Sequence, residues 1–137
     1  MTMHPTKVGI IIWGDLLTWQ KLNVAAFLST GVGAADPGNI GQEYEDAAGS
    51  RYLPLIKQPI FIYAATKEQL VRTKNRAHTR DVKPAVYVEG MFQTDNDLDN
   101  RALVQALTDE AQAIVGLAIR ADRKTFDKIV HGLKLHP

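Results

Sequence analysis

Lys7–Gly33, KVGIIIWGDLLTWQKLNVAAFLSTGVG, reads as a buried strand, a short polar turn and a helix of small residues. Val8 to Trp13 is a continuous apolar run, largely β-branched, rather than an alternating one. That predicts a strand covered on both faces, central in a sheet flanked by helices. Asp15–Leu16–Leu17–Thr18 breaks the run, with Thr18 the expected N-cap of a helix from Trp19 to Thr30. Leu22, Ala25, Ala26 and Ser29 make a narrow face that lets the helix sit close on a sheet, and Gly31 and Gly33 are its expected stop. Such a strand-to-helix turn is where an α/β domain most often keeps its chemistry.

Working outward, residues 1–6 are a short loose leader. Between 34 and 59, Tyr44–Glu45–Asp46 and Arg51–Tyr52–Leu53 are the expected arms of a small exposed hairpin around Ala47–Ala48–Gly49–Ser50, and Pro54 and Pro59 keep the exit extended. Ile60–Ala65 is a second core strand. Thr66-Lys67-Glu68-Gln69 matches a capping box and starts a helix to Thr79. Ala85–Val88 is a third strand, followed by a loop from Glu89 to Asp97. Asp99 or Asn100 caps a third helix carrying Leu103, Val104 and Leu107. Ala113–Ile119 is a fourth strand. Asp122 caps a last helix with Phe126, Ile129, Val130 and Leu133 at helical spacing and Gly132 near its end. Strands alternate with helices throughout, so the class is α/β with a sheet of about four strands, in one domain spanning 1–137.

Composition excludes several function classes. At 137 residues the chain can bury roughly two-thirds of its unfolded surface and needs no disulfide or metal to fold. It has no cysteine, which rules out thiol catalysis, CxxC redox chemistry and cysteine-ligated zinc. Its 45% hydrophobic and 23% charged residues are those of an ordinary soluble protein, and a net charge of +1 decides nothing about nucleic acid. The apolar run Val8–Trp13 is too short for a signal peptide or a membrane span, so a cytoplasmic location is the expectation and no membrane partner is expected. His4, His78, His131 and His136 show no metal spacing, and no cofactor is expected. Asp95–Asn96–Asp97–Leu98–Asp99 imitates the start of a calcium loop but has Asn100 and Ala106 where glycine and glutamate belong, so it reads as helix capping.

Two stretches resemble a known family. Val115–Ile119 followed by Phe126–Leu135 (FDKIVHGLKL) is similar to the closing "LGIGP" strand and "DKVTGHLKL" helix of the type II peptidyl-tRNA hydrolases. Asp15–Leu16 and Lys21–Ala26 resemble their "NDL" turn and "KGKVAAQ" helix. Over the whole chain the closer likeness is to the uncharacterised domain-of-unknown-function family numbered two thousand, through the opening Leu22–Asn23–Val24–Ala25–Ala26. The resemblance implies a three-layer α/β/α sandwich with a four-stranded mixed sheet, dimeric in many of the hydrolases. The hydrolase lysine falls on Asn23 and its glutamine on Phe27. Its Asp-Ala-Gly-x-Thr falls on Gly90–Thr94, which keeps the threonine, while Glu89 lies one residue earlier than the lost aspartate.

Asp15, Lys21, Asn23, Glu89 and Thr94 are therefore the candidate site, expected to converge at the ends of the first and third strands. As an enzyme, the chain would hydrolyse an aminoacyl or peptidyl ester. Asn23 and Lys21 would orient the substrate, Thr94 would donate to the oxyanion, and Asp15 or Glu89 would activate water. The alternative is a non-catalytic binding module or homodimeric scaffold whose crevice holds a small anion or peptide. Lys67, Arg72, Lys74, Arg76, Arg80 and Lys83, six basic residues against Glu68 and Asp81, give the second helix and its exit a net +4. That face either tracks a tRNA backbone or is a solvated surface. Trp13 and Trp19 flank the first turn, as core or as a lid.

Overall fold

The computed structural model describes residues 3–108 and 113–137, so residues 1 and 2 of the expected leader lie outside it. In chain order the elements are β1 (Thr6–Trp13), α1 (Thr18–Ala35), β2 (Tyr44–Glu45), β3 (Arg51–Tyr52), β4 (Ile60–Ala65) and α2 (Lys67–Thr79). Then come β5 (Ala85–Val88), a 3-10 turn (Glu89–Gln93), α3 (Asp97–Gln105), β6 (Ile114–Asp122), α4 (Arg123–Ile129) and β7 (Lys134–Leu135). The main sheet has the order β5-β6-β1-β4-β7. β1 and β4 run parallel in the register Ile10↔Ile62, while β6 is antiparallel to both β1 and β5, and β7 is antiparallel to β4.

The period of two along β1 divides the core. Val8, Ile10 and Ile12 meet Val24, Leu28 and Val32 of α1, together with Tyr87, Val115 and Ala118. Ile11 faces the other way, into Leu70 and Ala77 of α2 and Phe126 and Ile129 of α4, with Leu117 and Ile119 of β6. Helices thus cover both faces, which is why β1 and β6 read as unbroken apolar runs.

Two glycines set the closeness of these layers. A Cβ built at Gly9 would lie 2.6 Å from Cζ of Phe126, and one at Gly116 would lie 2.5 Å from Cγ1 of Val24. Neither site has room for a methyl group.

The structure corrects several expectations. The sheet has five strands, not four, because Lys134–Leu135 leaves the helical path and pairs with β4. α4 stops at Ile129, since Gly132 at φ 89° turns the chain back toward the sheet. Asp122 does cap α4, accepting from the Thr125 N–H at 3.0 Å and the Thr125 hydroxyl at 2.8 Å. The backbone bond from Thr125 is the main cause that holds its carboxyl below the usual carboxylate value. α1 runs through Gly31 and Gly33 to Ala35. These glycines do not end the helix; a Cβ at Gly31 would meet Ala85 of β5 at 3.2 Å, so close helix–sheet approach is their use. Thr18 is already helical, and Gln20 reaches back to the Leu17 N–H at 2.9 Å. Asn96, rather than Asp99 or Asn100, caps α3 by accepting from the Asp99 N–H at 2.8 Å.

The hairpin between 44 and 52 forms as the turn residues require. Tyr44 pairs with Tyr52, Gly49 takes φ 86°, and Asp46 accepts from Ala48, Ser50 and the Tyr52 hydroxyl. That last bond is the largest cause lowering the Asp46 carboxyl.

Candidate functional site

β1 is followed by α1 on one face of the sheet, and its parallel neighbour β4 is followed by α2 on the other. Adjacent parallel strands whose connections leave in opposite directions open a crevice at their carboxyl ends. A cleft of about 490 Å³ lies there, lined by Trp13, Gly14, Asp15, Ala64, Ala65 and the first turn of α2 from Thr66 to Gln69. Its floor is stitched by the Gly14 N–H donating to the Ala65 carbonyl at 2.9 Å, one residue beyond the strand pairing. Leu16 is buried and anchors the turn, leaving Asp15 exposed at the lip.

The opposite wall is the N-terminus of α2. Thr66 Oγ1 accepts from the Gln69 N–H at 3.1 Å, and Gln69 Oε1 accepts from the Thr66 N–H at 2.9 Å. The first two helical N–H groups, of Lys67 and Glu68, have no intrahelical partner and sit at the positive end of the helix dipole. The Lys67 ammonium lies 4.3 Å above the centre of the Trp13 ring and 3.2 Å from Glu89 Oε2. One cation is thus held between an aromatic face and a carboxylate. The arrangement can receive a developing negative charge on the helix side and set a carboxylate against it.

Of the five residues expected to meet, Asp15 lines this cleft and Glu89 reaches its edge through Lys67. β6 lies between β1 and β5, so the ends of the first and third expected strands stand about 10 Å apart. Thr94 lines a second hollow of about 330 Å³ with Phe27, Tyr87, Met91, Asn96 and Asn100. Its hydroxyl is within reach of the Met91 carbonyl at 3.1 Å and of the Asn100 side-chain oxygen. Asn23 lies four residues from both Trp19 and Phe27. Those rings pack edge-on against Phe92 (5.6 Å) and Tyr87 (5.9 Å), so Asn23 shares the α1 side that faces the hollow. Burial pushes the Tyr87 phenol up. Lys21 is on another side of α1 and lies 3.0 Å from Nε2 of His136, beside β7.

Trp13 is half-buried in the cleft wall, whereas Trp19 is 55% exposed. Sequence reasoning missed Lys67 as a site residue, counting it only within the basic helix. The available signal was the second strand-to-helix turn, Ala65–Thr66–Lys67, which repeats the pattern of the first. Among the described residues no three or more histidine, aspartate or glutamate side chains gather as a metal site. No helix among them is long and apolar enough to cross a membrane.

A solved structure described as a protein of unknown function from Agrobacterium tumefaciens strain C58 is 43% identical, with a TM-score of 0.95, over 98% of this chain and all of the other. No curated protein matches the chain. The DUF2000 family, described as a protein of unknown function, matches residues 6–137, and the chain belongs to that family.

Proposed function

We propose that the cleft between β1 and α2 is a hydrolytic site for the ester of an aminoacyl or peptidyl conjugate, tRNA-borne in the first instance. The chain would act as a single cytoplasmic α/β/α domain of the type II peptidyl-tRNA hydrolase kind, without a cofactor. The observation that carries this reading is a carboxylate, Asp15, in one cleft with two unpaired helix N–H groups. Asp15 activates water, and the N–H groups of Lys67 and Glu68 receive the oxyanion, with Lys67 Nζ supporting it. Glu89 is the second carboxylate able to serve as base, and its pairing with Lys67 makes Asp15 the first choice. Asn23 and Thr94 orient the body of the conjugate along the aromatic hollow, and Lys21 adds a cation on the far side of α1.

The test is single-turnover cleavage of peptidyl-tRNA by the parent, Asp15→Asn and Asn23→Lys. Loss of a general base lowers the rate by about 100-fold or more in Asp15→Asn, with the fold unchanged by circular dichroism. Equal rates in parent and Asp15→Asn overturn the assignment. Cleavage by Asn23→Lys alone shows that the native chain has abandoned the reaction.

One feature favours the second reading, a dimeric scaffold. α1 carries one charged residue in 18, and Trp19, Leu22 and Phe27 are 55%, 67% and 56% exposed. Large apolar side chains exposed together on one helix are commonly covered by a partner. On this reading the parent sediments as a homodimer and Leu22→Glu as a monomer; a monomeric parent removes it.

A further inference from the structure

Of the basic run on α2 and its exit, Arg72 and Arg80 are exposed, as a solvated surface requires, and two of the cations also border a groove. Arg76 and Arg80, one turn apart near the end of α2, meet Lys124 and Lys128, one turn apart on α4, around an open groove of about 670 Å³. His131 and Asp127 complete its lining. Like charges four residues apart repel each other on a helix, and here two such pairs face one another. Among the described residues none of the four cations is in an ion pair. Among the described residues the one acid lining the groove, Asp127, is bound to Lys7 of β1 at 2.7 Å, so a cation outside the groove already answers its charge.

The cations are also partly preorganised. Arg76 Nη1 donates to the carbonyls of His131 at 2.8 Å and Ile129 at 3.4 Å, which pins its guanidinium over the end of α4. Arg80 Nη1 donates to the Arg76 carbonyl at 3.2 Å. Each guanidinium keeps further N–H donors for a ligand, and the fork geometry suits phosphate oxygens. Among the described residues no aromatic ring lines the groove on which a nucleobase could stack.

We propose that this groove binds a compact polyanion, a small molecule carrying two or more phosphate groups. It lies toward the other end of α2 from the cleft and is independent of the hydrolytic reading. Arg80, the C-cap of α2, and Lys128 of α4 contribute positive charges from the two sides of the groove, and Arg76 is tied to the end of α4 through the Ile129 and His131 carbonyls.

The test is calorimetric titration of the intact chain with sodium triphosphate at low salt. The variants are Arg80→Ala, Lys128→Ala, the double variant and, as a control on the same helix outside the groove, Arg72→Ala. Saturable binding is expected for the parent and Arg72→Ala, about tenfold weaker for each single variant and weaker again for the double one. No saturable binding to the parent, or equal affinity in the double variant, overturns the proposal. A single-stranded RNA oligomer that binds through the same residues and is not displaced by triphosphate also overturns it, because the surface then reads an extended backbone. Melting curves for each variant distinguish lost binding from lost fold.

Discussion

Phe126→Ala lowers the stability of the fold by about 3–5 kcal/mol. Phe126 is completely buried, and its ring fills the space between Gly9 of β1, Tyr63 of β4 and the α2 side of the sheet. Alanine leaves a ring-sized void among Ile11, Ile119 and Ile129, side chains already fixed by their own strands and helix. A small domain is stable by only about 5–15 kcal/mol, so the loss is a large fraction of the total. Urea melts of the variant should show the midpoint falling with the slope unchanged. The partner variant Gly9→Ala sharpens the assignment. Its new methyl group would stand 2.6 Å from the Phe126 ring and should cost about 1–3 kcal/mol. In the Phe126→Ala background the same change meets a void, so its cost should vanish or reverse. Equal costs in both backgrounds would show that the ring does not rest on Gly9.

Gly116→Ala is expected to cost about 1–3 kcal/mol, the same range as Gly9→Ala. Gly116 faces α1 from the middle of β6, with Val24 Cγ1 2.5 Å and Leu28 Cδ1 3.0 Å from where its Cβ would stand. Val24 is β-branched and fully buried, and it has one favoured rotamer on a helix, so it cannot swing aside. α1 itself must lift from the sheet. Because α1 also carries Trp19, Asn23 and Phe27, the lift opens the hollow containing Thr94, and near-ultraviolet circular dichroism should register the moved aromatic rings. Val24→Ala weakens the core by itself. In the double variant the two costs should sum to more than the measured loss, as expected for side chains in contact. Strict additivity would exclude this contact as the reason for glycine.

Where local chemistry decides, the sequence and the structure agree. Thr66 with Gln69, Asp122 with Thr125, and the Asp46–Gly49 turn are interactions within four residues, and each forms as the residue types demand. Asn96 shows the limit of this rule. It is as good a cap as Asp99 or Asn100, and the loop from the 3-10 turn delivers the chain to it first. Gly31 and Gly33 show the other limit. As sequence they punctuate a helix; in the fold they are where α1 passes close to Ala85 and Ile40.

The candidate site divides in the same way. Asp15 is legible because a polar residue after a buried strand must lie in a strand-to-helix turn. The separation of Thr94 and Asn23 from it is not, because it depends on β6, which comes later in the chain, inserting between β1 and β5. Lys67 entered the cleft through the parallel pairing of β4 with β1, a contact between residues some fifty positions apart.

By itself the sequence determined the α/β class, the order of β1 to β6 and the helices between them, the caps of α2 and α4 and the buried character of β1 and β6. These follow from periodicity and from hydrogen bonds over a few residues. Only the tertiary structure decided the neighbours in the sheet, the fifth strand Lys134–Leu135 and the cleft at the crossover of α1 and α2. It also decided the convergence of Arg76, Arg80, Lys124 and Lys128 on one groove. Each of these brings together residues distant in the chain, and their proximity is set by how whole layers pack rather than by any one segment.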